Sequence, residues 1–151
     1  MQIVVNEWLL HYLHPDSQEE KKKLAIKFIN IWIKRCDKIL LRIQSPFTRK
    51  FYRFMNESKE DPVSYKEFKK LHNLLFRDSD KTVLIEEQNI RPLDKNIESK
   101  TPADDRYLVE LAYSSDDKII ITTDIRLKEK LEDEPELKIY LLEEFLNNYA
   151  L

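Results

Sequence analysis

The sequence predicts a single α/β domain, a three-layer α/β/α arrangement whose central, mainly parallel sheet is covered by helices on both faces. Three observations carry that expectation. Short apolar runs rich in β-branched residues (QIVV, KILLRI, KIIITT, LKIYL) alternate with segments whose apolar residues recur at helical spacing; such alternation implies crossover connections and hence a parallel sheet. The runs are apolar throughout instead of at every second position, as expected for strands buried on both sides. A chain of 151 residues with 42% hydrophobic content suits one core and one domain, residues 1–151.

Taken in order, Gln2 to Val5 reads as the first strand, followed by Asn6-Glu7 and a short helix WLLHYL that ends by His14-Pro15, because proline disfavours helix in the residue before it. Ser17 with Glu20 three residues on reads as a capping box, and Leu24, Ala25, Phe28, Ile29 and Trp32 then share one helical face. Residues 38–43 form the next predicted strand. Ser45-Pro46 then gives an N-cap and first helical residue for FTRKFYRFM. Ser64 with Glu67 suggests a second capping box, ahead of Phe68, Leu71 and Leu75 on one face. TVLI reads as a strand, and EEQNIRPLDKNIES as a polar, turn-rich loop. A helix from Thr101 to about Ser114, the strand KIIITT, a charged helix, the strand LKIYL and a final helix over EEFLNNY complete the chain.

Composition removes several function classes. The 26 basic and 28 acidic side chains nearly cancel, leaving a formal charge of −2, so attraction to a polyanion has to come from a local patch. Glycine is absent, which excludes Gly-rich phosphate loops and the dinucleotide fingerprint, whose turns need glycine's backbone freedom. Cys36 is the only cysteine and has no partner for an intramolecular disulfide. The first residues lack a basic secretory n-region, and apolar runs such as KFINIWI are far short of the roughly 20 residues that span a bilayer. The expectation is a reduced, cytoplasmic protein without a membrane role. His11, His14 and His72 have no zinc-ligand spacing with Cys36.

Open parallel sheets place their sites outside the carboxyl ends of the strands, near the point where strand order reverses. Two predicted strand ends carry acids: Glu7, and Asp124 after the run KIIITT. Asp124 reads either as the N-cap of IRLKEKL or as a catalytic carboxylate. Thr101-Pro102-Ala103-Asp104 reads as cap, first-turn proline and an acid bonding back to the cap, which makes Asp104 structural. Asp105 differs. Leu108, Val109 and Ala112 follow it at i+3, i+4 and i+7, so its side chain leads the apolar face, where an ionised carboxylate costs several kcal/mol, of order 5, unless it is partnered. A divalent cation shared with Asp124 and Glu7 offsets that cost.

The stretch from Asp105 (DRYLVELA) followed by KIIITTD resembles the C-terminal signature of PIN domains, in which an Asp opens a helix ending on Ala and a T-x-D motif closes the next strand. IVVNEWLL is similar to the family's first strand, and LKIYLLEEFL to its last strand and helix. The resemblance implies a Rossmann-like sheet, an acidic cluster holding Mg²⁺ or Mn²⁺ through Glu7, Asp105 and Asp124, metal-dependent hydrolysis of RNA, and membership of a toxin–antitoxin pair with an antitoxin protein as partner. A homodimer is also expected.

The chain departs from the family pattern at two places. Asn6 stands where an Asp usually ends the first strand, with Glu7 beside it; and near SPFTRKF, where a second acid is usual, lie Thr48, Arg49 and Lys50. Either Glu7 replaces the missing ligand, or the protein is a PIN-like binding module that has lost catalysis. Thr122 or Thr123 is expected to hydrogen-bond the scissile phosphate or orient a carboxylate. Arg49, Lys50 and Arg53 are expected to track a nucleic-acid backbone, with Tyr52 available for stacking, although Phe47, Phe51 and Phe54 on the same helix read as core. Asn6 and Asp104 are expected to support the ligands.

Overall fold

The computed structural model describes residues 1–149. Five strands, β1 (Gln2–Val5), β2 (Lys38–Arg42), β3 (Thr82–Ile85), β4 (Ile119–Thr122) and β5 (Lys138–Leu141), lie in one sheet in the order β3-β2-β1-β4-β5. Every pairing is parallel, with Ile3 opposite both Ile39 and Ile119, and Ile120 opposite Ile139. Among the described residues seven α-helices connect the strands, α1 (Trp8–Leu13), α2 (Glu19–Lys34), α3 (Pro46–Glu57), α4 (Pro62–Phe76), α5 (Lys95–Lys100), α6 (Arg106–Tyr113) and α7 (Ile125–Leu131), and an eighth, α8 (Leu142–Tyr149), follows β5.

Because successive strand residues point to opposite faces, each apolar run supplies two cores at once. Ile3, Val5, Ile39, Leu41, Ile119 and Ile121 join Phe28, Trp32, Phe51 and Phe68 from α2, α3 and α4. Val4, Leu40 and Ile120 face the other way, onto Leu108, Val109 and Ala112 of α6 and Leu127 and Leu131 of α7. This is the three-layer α/β/α architecture. Ile119, Ile120 and Ile121 are all buried in an interior strand between β1 and β5, which is why that run carries no polar alternation. Among the described residues no helix is long and apolar enough to cross a membrane.

Several local expectations are corrected. The Ser17 capping box does not form: α2 is preceded by Gln18 with no side-chain cap, and the Ser17 hydroxyl bonds the Gln18 carbonyl. The helix before β3 starts earlier than Ser64. Asp61 is its N-cap, with Pro62 in the first turn, and the Asp61 carboxylate accepts from the Ser64 amide at 3.1 Å; the Asp-Pro pair supplies both the acceptor and the preset φ. The segment 86–100 is not all loop, since Asp94 caps the short helix α5 by accepting from the Asn96 amide. Thr101 consequently ends α5, its hydroxyl bonding the Ile97 carbonyl, and does not cap the helix that follows. Ala103–Asp105 form a 3-10 turn ahead of α6, so Asp104 is exposed and makes no capping bond. At Ser45 the expectation is met: its hydroxyl accepts from the Thr48 amide, with Pro46 opening α3.

Candidate functional site

From β1 the chain passes to β2 and β3 on one side, then returns to place β4 and β5 on the other. The reversal lies between β1 and β4, so the crevice beyond their carboxyl ends is where this topology places a ligand. Asn6 and Glu7 leave β1 there, Thr123 and Asp124 leave β4, and α6 packs across β1, β2 and β4, bringing Asp105 to the same end.

A fully buried hydroxyl joins the two strand ends. Thr122 Oγ1 accepts from Asn6 Nδ2 at 3.2 Å and from the Asp124 amide at 3.0 Å. Asn6 Oδ1 in turn accepts from the Glu7 amide at 2.7 Å, and the Asn6 amide donates to the Ile121 carbonyl at 3.3 Å. Trp8 Nε1 reaches that same carbonyl at 2.9 Å. Asn6 and Thr122 therefore spend their polar atoms on the scaffold, and Thr122 has no surface to offer a substrate. Thr123 is exposed.

Asp124 is the N-cap of α7: Oδ1 accepts from the amides of Arg126 at 2.9 Å and Leu127 at 3.3 Å. The two readings of this residue are compatible, because those amides use one carboxylate oxygen and orient the other. Asp105 is half-buried at the entry of α6 with no capping bond. Burial first, and then the charges of Asp124, Asp104 and Glu7, push its pKa above the ordinary carboxylate range, with only Lys130 opposing. The three acids singled out in the sequence are thus close enough to repel. Among the described residues no three His, Cys, Asp or Glu side chains are gathered tightly enough to hold one ion.

Compared with known proteins, the chain matches no family model, no curated protein and no solved structure.

Glu7 has a partner that the other two acids lack. Lys50, from α3, donates to Glu7 Oε2 at 3.0 Å and approaches His11 Nε2 at 3.1 Å. Burial and the Lys50 cation lower the pKa of His11, against the opposing pull of Glu7, which keeps the ring in the neutral form that accepts from an ammonium. Arg49 and Arg53 are exposed on α3, and Arg53 lies over the Phe54 ring. Tyr52 is 45% exposed with its ring stacked on Phe76.

Lys50 and Glu7 line a cleft of about 640 Å³ with Arg42, Arg106, Tyr107 and Glu110. Arg42 pairs with Glu87 and Glu110. Among the described residues the Tyr107 hydroxyl is buried without a hydrogen-bond partner; burial first, and then the neighbouring Glu7 carboxylate, hold its pKa up. The sequence reading passed over these residues. For Arg42 a signal existed: it is a charge ending an apolar run, the same pattern that singles out Asp124. Tyr107 gave none, because nothing in RYLVEL marks which polar tip lies next to Glu7.

Proposed function

We propose that the protein is a metal-dependent phosphodiester hydrolase acting on RNA, with its site at the carboxyl ends of β1 and β4. The observation that carries this reading is the carboxyl group of Asp105, raised in pKa by burial and by Asp124, Asp104 and Glu7 at the topological switch point. Perturbed acids gathered in a crevice are characteristic of functional sites. The donor set fits a hard divalent ion. Mg²⁺ is commonly held by one or two carboxylates with water and substrate phosphate completing its shell, so Asp105 and the free oxygen of Asp124 suffice, and Glu7 stays with Lys50. A bound Mg²⁺ or Mn²⁺ lowers the pKa of a coordinated water and neutralises charge on a phosphate. The protein's own groups do the positioning: Thr122 and Asn6 lock the two strand ends together, the α7 amides aim Asp124, and the exposed Arg49 and Arg53 attract the RNA backbone.

Two substitutions test the reading. Asn is as good an N-cap as Asp, so Asp124→Asn keeps the fold while removing the ligand charge. Mn²⁺ raises the melting temperature of the wild-type protein by mass action, and the protein cleaves RNA in its presence. Asp124→Asn and Asp105→Asn lose both responses. No Mn²⁺-dependent stabilisation and no cleavage by the wild type reject the hydrolase.

A second reading is favoured by the ion pair of Glu7 with Lys50. An ammonium beside the first-strand acid, together with the internally bonded Asn6, also suits an RNA- or protein-binding module without catalysis. That module binds RNA in the presence of chelator and leaves it intact when Mn²⁺ is added.

A further inference from the structure

The sheet ends in two edges, and only one of them is blunted. β5 carries the exposed Lys138, and its last amide, of Leu141, donates to Glu144 Oε1 at 2.7 Å; a charge and an engaged donor both discourage a further strand. β3, with the sequence TVLI, carries no charge, and its Leu84 is 41% exposed. The direction of its main-chain groups follows from its pairing with β2. The Lys81 carbonyl accepts from the Ile39 amide at 2.9 Å, and Ile39 lies opposite Thr82, so Lys81, Val83 and Ile85 turn their main-chain groups to β2. Thr82, Leu84 and Glu86 alternate with them and turn theirs away from the sheet. Two of those outward groups are met within the chain: the Thr82 amide donates to the Asp78 carbonyl at 3.1 Å, and the Glu86 carbonyl accepts from the Asn89 amide at 2.9 Å. Among the described residues the Leu84 amide, the Leu84 carbonyl, the Thr82 carbonyl and the Glu86 amide have no hydrogen-bond partner.

We propose that a second copy of this chain covers this edge: β3 pairs antiparallel with β3 of the partner about a two-fold axis at Leu84, joining the two sheets into one. In that register the Leu84 amide donates to the carbonyl of the partner's Leu84. The Glu86 amide donates to the carbonyl of the partner's Thr82, and both bonds recur across the axis. Every open group is then used once, as main-chain groups in a buried edge require. Sliding the register by two residues in either direction sets a Leu84 group against the Thr82 amide or the Glu86 carbonyl, both already engaged. The side chains agree with the main chain. Val83 meets the partner's Ile85, both half-buried and apolar, in the more closely spaced type of antiparallel pair. Leu84 meets its own copy on the other face, where it lines a hollow of about 260 Å³ with Phe76 and Thr82. At the ends Lys81 lies opposite the partner's Glu87, and Asp80 opposite the partner's Gln88, so no like charges are opposed. This match of the strand with itself selects a second copy over a strand of another protein. Because the strands run in opposite directions across the axis, the crevices beyond β1 and β4 open at opposite ends of the joint sheet, and the dimer does not depend on whether that site hydrolyses RNA.

Sedimentation of the full chain tests this. A strand-edge contact is at the small end of stable interfaces, below about 1,200 Å², so the protein is followed from about 1 to about 200 µM. The expected result is a mass that rises with concentration from 18.3 kDa toward twice that value. Leu84→Pro deletes one outward donor, a change that edge strands tolerate, and Leu84→Lys sets two ammonium groups against each other on the axis. Both variants stay monomeric over the whole range. Their circular dichroism matches the wild type, because neither change touches a bond to β2. Ile125→Lys, at another exposed apolar position, still dimerises. Cross-linking then reads the register: with Cys36→Ser removing the native thiol, Leu84→Cys oxidises to a covalent dimer, since the residue meets its own copy at a Cα separation of about 5.5 Å. Val83→Cys, which faces the partner's Ile85, cross-links at least about tenfold more slowly, as pairs whose Cα atoms lie beyond about 7 Å do not bridge. A wild-type protein that stays monomeric throughout overturns the proposal and leaves the edge to a strand of another protein. A dimer that survives both Leu84 variants, or equal cross-linking from the two cysteine positions, overturns it as well.

Discussion

Replacing Thr122 by valine removes a single oxygen from the joint between β1 and β4. The side chain is 0% exposed, so valine occupies the same space and creates neither a cavity nor a new surface. What it cannot do is accept. The Asp124 amide and Asn6 Nδ2 both lose their acceptor, in a place where little water can replace it. Leaving buried donors unpaired costs about 1–3 kcal/mol. A central value of about 2 kcal/mol, at about 2–4 °C per kcal/mol for a chain of this length, lowers the melting temperature by about 4–8 °C. The loss also frees the backbone that aims Asp124, so the Mn²⁺-induced rise in melting temperature shrinks more than the global destabilisation explains. Thermal unfolding followed by circular dichroism, with and without Mn²⁺, measures both effects. Thr123→Val serves as the control, because Thr123 is exposed and surface changes stay within about 0.5 kcal/mol. A Thr122→Val protein that melts within about 1 °C of the wild type refutes the argument that this hydroxyl couples the strand ends.

Asp105 and Asp37 are expected to give opposite pH dependences. The folded-state pKa of Asp105 is raised, so native protein holds its proton more tightly than unfolded chain and stability falls as pH rises from the unfolded carboxyl value through the folded one. Asp105→Asn removes that loss and is more stable than the wild type at neutral pH in chelator, as urea titrations across mildly acidic pH will show. Asp37 is buried, which alone raises its pKa, but hydrogen bonds from the Met1 amine at 2.7 Å, the Tyr149 hydroxyl at 2.5 Å and Arg35 at 3.3 Å bring it below the ordinary value. Its contribution is fully present above the ordinary carboxylate value and disappears as pH falls through the lower folded pKa. Asp37→Ala, which leaves the Tyr149 hydroxyl without its acceptor, costs about 2 kcal/mol at neutral pH and flattens the acid limb of the unfolding curve.

The linear pattern of the chain determined the architecture. Uninterrupted β-branched runs alternating with helical spacing permit little besides a doubly covered parallel sheet, and the burial of Ile119, Ile120 and Ile121 follows from that pattern alone. Local chemistry was legible where a cap and its partner lie within one turn, as at Ser45 with Thr48. It failed at Ser17, Ser64 and Thr101, where several adjacent residues have comparable capping ability and the choice among them depends on where the helix docks. At the site, the position of Asp105 on its helix and the acid after KIIITT marked two carboxylates, since the end of a strand and the start of a helix are properties of the sequence. Only the tertiary structure decided what those acids meet. Lys50 is 43 residues from Glu7 in the chain, and Thr122 is 116 residues from Asn6; their contacts exist because parallel strands bring distant crossover ends side by side.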